Sequence, residues 1–373
     1  MNVQLNDFKR QWEAVREEVQ GAVERVGRSG WYILGKEVEA FEQALEIDWP
    51  VHHAVGVGNG LDAIEIGLRC LGVGEGDRVL TTPLSAFATT LAIMRVGATP
   101  VFVDVDERGL IDLEQCRQVF SEQPAVRCLL PVHLYGQPID PNALRELKNR
   151  YELSVLEDCA QPVLARWGGL ATGRVGQVAA TSFYPTKNLG AMGDGGALLT
   201  DSDVIASKAR ELRNYGQSRQ YVHESVGLNS RLDEMQAAIL NDAMLPRLAE
   251  WTARRRAIAG RYLKDIEHRS IELPRQVEGS NPCWHLFPVV VEAKTRASLV
   301  EHLRVAEVTT GIHYPTLIPD QKAMKEYGRV EVRGTLSRAR RFAAGEVSLP
   351  IHPFLSDDEV AHVIQACNGW RDA

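Results

Sequence analysis

Between residues 50 and 200, short apolar runs alternate with amphipathic segments, and this alternation restricts the fold more than any other feature of the chain. The runs have the length of buried strands, and the segments between them repeat apolar residues at helical spacing. Strands joined by helices run parallel, with helices covering both faces of the sheet. The pattern predicts an α/β protein with strands at 53–57, 78–81, 100–105, 128–132 and 154–156, and with helices at 61–71, 88–96, 113–120 and 143–151.

The remaining segments predict how this sheet is completed and where a second domain begins. Two strands at 179–183 and 197–200 follow each other with no helix between them, which indicates an inserted antiparallel pair. A helical region at 232–266, bent near Pro246, leads into strands at 287–291, 311–314 and 347–350 and helices at 296–303 and 357–367. Since 373 residues exceed one average domain, we expect a large domain, 1–245, and a small C-terminal α+β domain, 246–373. The N-terminal segment is expected to be able to pack with the small domain.

Composition argues against several classes of protein. The net charge of −7 argues against nucleic acid or an anionic membrane as the main partner. No run of 18 apolar residues is present, and the first 30 residues lack the apolar core of a secretory signal. The six cysteines are scattered without a CxxC pair, so we expect reduced thiols in a cytoplasmic protein and no metal site.

Lys187 is the first candidate for chemistry. It stands in TSFYPTKNLG, just past a predicted buried strand and ahead of the glycine-rich GDGGA. An amine at such a strand end loses solvation, which lowers its pKa and suits it to form a Schiff base. Most lysines near strand ends are solvated or snorkel to the surface, so Lys187 alone is not sufficient evidence.

A carboxylate at a second strand end supplies the chemical partner. Asp158 follows the predicted strand at 154–156, and ligands of doubly wound sheets bind beyond such ends. Pyridoxal phosphate (PLP) requires a carboxylate that keeps its pyridine nitrogen protonated, and Asp158 can fill this role. Gln161, three residues on, could hydrogen-bond the ring's phenolic oxygen. Taken alone, Asp158 could also be a helix N-cap.

A third feature is the glycine-rich GVGNG at 56–60, between the first strand and its helix. Small residues there let backbone N–H groups approach a phosphate at the helix N-terminus. The spacing does not match GxGxxG, and no acidic residue follows at the dinucleotide-binding position in the next strand. The segment therefore favours a single phosphate over a dinucleotide.

With these motifs in order, the chain resembles the DegT/DnrJ/EryC1/StrS sugar aminotransferases. The resemblance rests on GNG, EDCAQ, SFYPTKNLG, GDGGA and LNSRLDEMQAAIL, and extends from GKEVEAFE at 35–42 to LPIHP at 349–353. That family adopts PLP fold type I, which is aspartate aminotransferase-like. The resemblance thus implies a large domain with a mostly parallel seven-stranded sheet and a small α+β domain.

The resemblance also assigns residues to the cofactor. Lys187 would carry PLP, and Asp158 and Gln161 would contact its ring. The phosphate would be held by Asn59, Gly60 and Ser182 and, from the other subunit of a homodimer, by Asn229. Phe87 would stack on the ring, although a phenylalanine opening an apolar helix is often a core residue. Likewise, Asn229 could be only a turn or cap residue.

The implied reaction is the transfer of an amino group, with glutamate as the expected donor, to a nucleotide-linked keto sugar by a ping-pong mechanism. Family members that dehydrate sugars carry His at the position of Lys187, so transamination is favoured. The expected acceptor is C3 of a dTDP-3-keto-6-deoxyhexose, a precursor of a deoxyamino sugar of a lipopolysaccharide or an antibiotic. A C4-keto sugar, a cyclitol and a PLP-binding sensor without turnover remain alternatives. Candidates for the substrate pocket are Tyr32, Tyr184, Arg231, His313, Tyr314 and His352.

Overall fold

The protein was analysed as a computed structural model that describes residues 1–123 and 125–372. Its strands are β1 (His53–Val57), β2 (Arg78–Thr81), β3 (Thr99–Phe102), β4 (Cys128–Leu130), β5 (Ser154–Asp158), β6 (Arg166–Trp167), β7 (Leu170–Ala171), β8 (Val178–Ser182), β9 (Gly196–Thr200), β10 (Gln217–Arg219), β11 (Val222–His223), β12 (Ser280–Asn281), β13 (Phe287–Val290), β14 (Glu331–Val332) and β15 (Glu346–Leu349).

The helices alternate with the strands in the first half of the chain and dominate its ends. They are α1 (Phe8–Ser29), α2 (Lys36–Asp48), α3 (Gly60–Cys70), α4 (Phe87–Arg95), α5 (Leu113–Glu122), α6 (Pro141–Arg150), α7 (Asp203–Leu212), α8 (Glu234–Ile239), α9 (Leu248–Asp265), α10 (Arg296–Val305), α11 (Lys322–Tyr327), α12 (Ser337–Gly345) and α13 (Asp357–Gly369). Within the described ranges, no helix has both the length and the apolar character needed to cross a membrane.

The central sheet confirms the predicted mostly parallel α/β fold. Its strand order is β1-β9-β8-β5-β4-β2-β3-β14. Strand β9 pairs antiparallel with both β1 and β8, as expected for the inserted pair, whereas the pairs from β8 across to β14 are parallel. Because β1 and β8 both oppose β9, they point the same way as β5. The C-terminal ends of these three strands therefore meet at one edge of the sheet.

The sheet has an eighth strand that the sequence did not reveal. Strand β14 is only two residues long and pairs parallel with β3, next to Val101 and Phe102. An ion pair between Arg78 and Glu331, with 2.6 Å between N and O, joins it to β2. Two residues are too short for any periodic pattern, so a pairing of this kind cannot be predicted from the sequence.

Other elements differ from the predictions in specific ways. The strand expected at 311–314 does not form: only Gly311 makes an isolated bridge, to Ser348, and the backbone N–H of His313 donates to a glutamate side chain instead. The expected long helix is interrupted before Pro246, where a π-helical turn (Leu240–Met244) separates α8 from α9. Five helices were not predicted at all, namely α1, α2, α7, α11 and α12.

Three large apolar clusters form the core. Two of them cover the faces of the central sheet, and the third joins α9, α10 and α13 with β13 and β15. Val3 belongs to this third cluster and bridges to Val308, so the N-terminal segment packs against the C-terminal part of the chain. Phe342 of α12, by contrast, packs in the cluster of the large sheet. The domain boundary at 245/246 stays a prediction.

Candidate active site

The candidate site lies at the edge where β1, β5 and β8 end. Asp158 is the last residue of β5, and Ser182 is the last residue of β8. Lys187 follows five residues later in a turn, where its backbone N–H donates to the carbonyl of Tyr184 (2.8 Å). The parallel pairing of β5 with β8 brings these groups together, as expected for ligand sites in open α/β sheets.

Asp158 is held in a fixed orientation and is almost fully buried, with 4% of its surface exposed. The hydroxyl of Thr89 donates to Oδ2 (2.8 Å), and the backbone N–H of Ala160 donates to Oδ1 (3.0 Å). Burial raises the pKa of Asp158, while these hydrogen bonds and the charges of Lys187 and His133 oppose the increase. Among the described residues, no cation forms a salt bridge with Asp158. The carboxylate is thus suited to a cationic ligand.

The neighbouring carboxylate, Glu157, has a different environment. It accepts from His133 Nε2 (2.9 Å) and from the backbone N–H groups of Val175 (2.8 Å) and Gly176 (2.7 Å). Burial acts to raise the pKa of Glu157, but the hydrogen bond and charge of His133, together with the backbone amides, lower it overall. Since the N–H of Ile139 donates to Nδ1 of His133, Nε2 carries the imidazole proton. Glu157 is therefore internally satisfied and structural.

Lys187 has the electrostatic character predicted for it. Burial lowers the pKa of Lys187 to about 8, and the charge of Asp158 opposes this decrease. The pKa values of His285 and His313 are lowered by burial and, in part, by the charge of Lys187, and Nδ1 of His285 lies 3.3 Å from Oδ1 of Asn188, the residue after Lys187. A small cavity of about 20 Å³, the room of roughly one water, is lined by Lys187 and His352 among others.

Residues at the start of α3 form a small concave surface against the end of β8. Asn59 is the N-cap of α3, and its Oδ1 accepts from the N–H of Asp62 (2.9 Å). A Cβ at Gly60 would lie 2.7 Å from the Cβ of Ser182, so only glycine allows this approach. Strand β9 is equally close, since a Cβ at Gly196 would lie 2.5 Å from the carbonyl carbon of Asn59. A helix N-terminus beside a serine hydroxyl is suited to bind a phosphate.

A second set of residues connects Gln161 to the C-terminal part of the chain. The backbone N–H of Tyr135 donates to Gln161 Oε1 (2.5 Å), and the Tyr135 hydroxyl donates to the carbonyl of His313 (2.6 Å). Burial raises the pKa of the next residue, Tyr314, and the charge of Asp158 adds to the increase. Through Tyr135, His313 and Tyr314 are therefore linked to Gln161, close to the end of β5, and their place in the substrate pocket stays a prediction.

The side chains of the other predicted residues make no described hydrogen bond to Lys187 or Asp158. Phe87 opens α4 and is half-buried against Phe102, Ile318 and Met324, whereas Thr89, two residues on, contacts Asp158. Tyr32 and Tyr184 are 54% and 53% exposed, respectively.

Asn229 and Arg231 lie in a surface segment of the chain. Arg231 donates to Asn214 (2.8 Å) and stacks on the ring of Tyr215 at 5.0 Å, and it also donates to Asn229. No hydrogen bond joins Asn229 or Arg231 to Lys187 or Asp158 within the part of the chain that the structure describes.

Several residues near Lys187 were not predicted from the sequence. They are Thr89, Tyr135, His285, Glu346 and Ser348. Tyr135 could have been found, because it closely follows a strand of the same sheet as Asp158. Thr89 carries no local signal, since a threonine in an apolar helix is usually structural. Glu346 and Ser348 alternate with apolar residues, a pattern that is typical of a strand with one face in solvent.

A lysine of lowered pKa and a buried carboxylate at this edge of a mixed sheet match those of an aminotransferase of PLP fold type I. More particularly, the chain belongs to the DegT/DnrJ/EryC1/StrS aminotransferase family, whose sequence model matches residues 13–368.

Individual relatives agree with this assignment. The chain is 42% identical over 368 residues to dTDP-3-amino-3,4,6-trideoxy-alpha-D-glucose transaminase of Streptomyces venezuelae, covering 98% of this chain and 95% of that protein. It is also 42% identical over 370 residues to the erythromycin biosynthesis sensory transduction protein EryC1 of Saccharopolyspora erythraea, covering 98% of each chain. The crystal structure of S. venezuelae DesV in complex with a ketimine intermediate superposes with a TM-score of 0.94 at 42% identity, covering 99% of this chain and 98% of that one.

Proposed function

We propose that this chain is a PLP-dependent aminotransferase that transfers the amino group of glutamate to C3 of a dTDP-linked 3-keto-6-deoxyhexose. The observation that carries the proposal is the pairing of Lys187, with a pKa lowered to about 8, with the buried carboxylate of Asp158. A neutral amine near physiological pH can attack a carbonyl and can accept a proton. A buried carboxylate without a cationic partner can hold a protonated ring nitrogen.

The described residues fit PLP at three separate points. Asp158 has no salt-bridge partner among residues 1–123 and 125–372, and its oxygens are oriented by Thr89 and Ala160. The backbone of Gly60 can approach Ser182 this closely only because position 60 has no Cβ, which brings the N-terminus of α3 next to the serine hydroxyl. Gln161 is only 5% exposed and ends a short chain of polar contacts at this edge. These three points match a ring nitrogen, a phosphate and a phenolic oxygen, respectively.

When bound, PLP supplies an aldehyde that links to amines and a ring that withdraws electrons from the adjoining carbon. In the mechanism we propose, the Nζ of Lys187 would take the proton from the donor's α-carbon and would deliver it to the cofactor carbon that had carried the aldehyde, two atoms away. Asp158 keeps its negative charge against the ring nitrogen and so holds a proton there. Asn59, Gly60 and Ser182 hold the phosphate, which fixes the distance of the reacting carbon from Lys187. The same residues act in reverse on the ketone of the sugar.

The acceptor is inferred from the relatives and is tested with a substrate panel. We expect the highest kcat/KM with a dTDP-3-keto-6-deoxyhexose, because the relative of 42% identity is named for a 3-amino sugar. The panel compares this substrate with the 4-keto isomer and a keto cyclitol, and NMR of the product locates the new amine. A preference for the 4-keto isomer or the cyclitol would refute the C3 assignment and leave the aminotransferase reaction intact.

A sensor without turnover is the second candidate, and the name of EryC1 is the observation that favours it. The two functions differ in the first half-reaction. An aminotransferase incubated with glutamate alone releases about one 2-oxoglutarate per site, and kinetics with both substrates give parallel double-reciprocal lines. A sensor binds the cofactor and releases none.

We further propose a homodimer in which Asn229 contacts the phosphate bound by the neighbouring subunit. The single chain exposes large apolar side chains near this segment, including Tyr221 (85%) and Val226 (86%), and others at Trp31 (62%) and Tyr32 (54%). Asn229 itself is exposed and makes no contact with Ser182 or Gly60 among the described hydrogen bonds. A second chain covering these side chains would explain both features.

The dimer proposal predicts complementation between two inactive or weakened variants. Asn229→Ala should weaken PLP binding by about 10–100-fold, the value of a hydrogen bond to a charged group. In dimers mixed from Asn229→Ala and Lys187→Ala chains, one of the two sites has both residues intact. Activity at limiting PLP should therefore exceed that of either variant alone. If Asn229 serves its own chain, mixing restores nothing, and sedimentation showing a fully active monomer would also exclude the dimer.

Two broader expectations belong to the same proposal. The division into a large domain, 1–245, and a small one, 246–373, is supported by the separate apolar cluster around α9, α10 and α13. The cytoplasmic location is supported by the six cysteines, all of which are free thiols.

A further inference from the structure

Strand β15 carries two polar side chains into the protein interior. Glu346 and Ser348 are two residues apart, so they lie on the same face of the strand, and both are 0% exposed. The partner strand β13 contributes only Phe287, Pro288, Val289 and Val290. A buried glutamate in such surroundings is costly unless it is hydrogen-bonded, so its partners matter.

The carboxyl, a hydroxyl and an imidazole form a continuous chain of hydrogen bonds. Glu346 Oε2 accepts from the backbone N–H of His313 (2.6 Å), and Glu346 Oε1 lies 2.5 Å from the hydroxyl oxygen of Ser348. That hydroxyl oxygen lies 2.9 Å from Nδ1 of His313. A Cβ at Gly311 would lie 2.7 Å from Cε1 of His313, so the ring also packs closely against the backbone of its own segment.

His313 has a neutral imidazole, and its backbone carbonyl accepts from Tyr135, which also contacts Gln161. Burial and the charge of Lys187 lower the pKa of His313 to about 4, so at neutral pH the ring carries one proton, on either Nδ1 or Nε2. Nδ1 is bonded to Ser348, whereas Nε2 makes no hydrogen bond within the described residues. The nitrogen that carries the proton depends on whether the Ser348 hydroxyl donates a hydrogen bond to Nδ1 or accepts one from it.

The chain of hydrogen bonds has two self-consistent arrangements. With the carboxyl of Glu346 protonated, its O–H donates to Ser348, whose own O–H donates to Nδ1, so Nε2 of His313 carries the ring proton. With the carboxyl ionised, Ser348 donates to Glu346 and accepts from Nδ1–H, so Nε2 is an acceptor. Passing from the first to the second, the carboxyl loses one proton to solvent. The imidazole stays neutral and moves its ring proton from Nε2 to Nδ1 by exchange with solvent.

We propose that Glu346 is a positioning residue that, through Ser348, sets whether Nε2 of His313 donates or accepts a hydrogen bond at the candidate site. The proposal rests on the proposed function in one respect, the identity of the group that Nε2 contacts, which would be a hydroxyl or an amine of the substrate. The arrangement of the three side chains does not depend on it.

The groups around Glu346 determine the pH at which its carboxyl ionises and the His313 tautomer changes. Burial raises the pKa of Glu346 to about 8, while the hydrogen bonds from Ser348 and His313 and the charge of Arg296 on α10 oppose the increase. Tyr135 and Tyr314 also face it, and both are neutral because burial raises their pKa values. On α12, Arg341 is paired with Glu272. Below pH 8 the carboxyl is protonated and Nε2 donates; above pH 8 Nε2 accepts.

The test follows the ring nitrogens of His313 directly. In PLP-loaded protein labelled with ¹⁵N-histidine, the imidazole ¹⁵N shifts separate protonated from unprotonated nitrogens, and His313→Gln identifies the signals. In the wild-type protein Nε2 should lose its proton with a midpoint of about pH 8. In Glu346→Gln the amide N–H₂ donates to Ser348 as the protonated carboxyl does, so Nε2 should stay protonated throughout. An unchanged tautomer in the wild type, or a change that persists in Glu346→Gln, overturns the proposal.

Two further variants keep the test decisive. Ser348→Ala retains the hydrogen bond that the backbone N–H of His313 donates to Glu346, but it removes the hydroxyl that links Glu346 to the imidazole. The change of tautomer near pH 8 should therefore vanish. This variant can be measured even if Glu346→Gln does not fold. Glu65→Gln is the matched control. Glu65 is also buried, at 1% exposed, but it binds Arg69 at 2.5 Å and takes no part in the hydrogen bonds among Glu346, Ser348 and His313. Glu65→Gln should still show the change of the His313 tautomer near pH 8. Loss of that change in Glu65→Gln would count against the proposal. No readout requires turnover, so failure of the aminotransferase function would be seen separately, in the half-reaction with glutamate.

Discussion

Replacing Lys187 with alanine is expected to lower kcat by at least about 10²–10⁴-fold, the usual contribution of a positioned acid–base group. The reason is that no other described amine lies beside Asp158 with a pKa lowered to about 8. The variant should also lose the covalent attachment of PLP: borohydride should fix the cofactor to the wild-type chain, at the peptide containing Lys187, and not to the variant. Wild-type turnover in Lys187→Ala would remove the basis of the proposed mechanism.

Two further variants test whether the effect comes from the reactive amine of Lys187, from its positive charge, or from the loss of any buried lysine. Lys187→Arg keeps a positive charge that does not dissociate at neutral pH, so it should be as inactive as Lys187→Ala. Lys148 is the matched control, since burial also lowers its pKa but its Nζ donates to the carbonyl of Val175 (2.6 Å). Lys148→Ala should retain turnover and borohydride labelling. Activity in Lys187→Arg would show that only the charge matters.

Replacing Asp158 with asparagine is expected to lower kcat by about 10²–10³-fold, similar to the loss of one preorganised electrostatic contact. The amide has the same shape: its oxygen can still accept from the backbone N–H of Ala160, and its NH₂ group can donate to the hydroxyl oxygen of Thr89. It carries no negative charge, however, and so cannot hold a proton on the ring nitrogen of PLP. The loss should therefore appear in kcat for both half-reactions, with the protein folded. Stopped-flow absorbance of each half-reaction and thermal unfolding measure the two effects separately.

Glu157→Gln is the control for Asp158→Asn, because the two carboxylates are adjacent and equally buried. Glu157 binds His133 and backbone amides and does not face the site, so its replacement should lower the free energy of unfolding by about 1–3 kcal/mol. Its kcat should change far less than that of Asp158→Asn. If both variants lose kcat equally, Asp158 acts through stability and not through the cofactor.

The main chemistry could be predicted from the sequence because it is local. Asp158 and Lys187 each follow a recognisable buried strand, and parallel strands bring their C-terminal ends to one edge whatever their separation along the chain. The family, the α/β fold and the aminotransferase reaction were all predicted and are confirmed. The roles of the individual residues stay predictions, since they depend on a ligand.

The segment around His313 shows where sequence patterns mislead. Residues 311–314 were predicted to form a strand, but the backbone N–H of His313 donates to Glu346 and not to a neighbouring strand. The alternation in EVSL predicts polar side chains in solvent, yet Glu346 and Ser348 are fully buried. In both cases a polar partner distant in the sequence outweighs the local preference, as buried polar groups must be hydrogen-bonded.

The sequence by itself determined the alternation of strands and helices from β1 to β5, the family and the positions of Lys187 and Asp158 after buried strands, because periodicity and strand ends are properties of neighbouring residues. Only the tertiary structure decided that Thr89 orients Asp158 and that Glu346, through Ser348, contacts His313. The contact between Thr89 and Asp158 joins residues 69 positions apart, and the contacts of His313 with Glu346 and Ser348 join residues 33 and 35 positions apart. Their energy depends on burial and on distances of less than 3 Å. No local pattern encodes such distances, so they become visible only when the chain is folded.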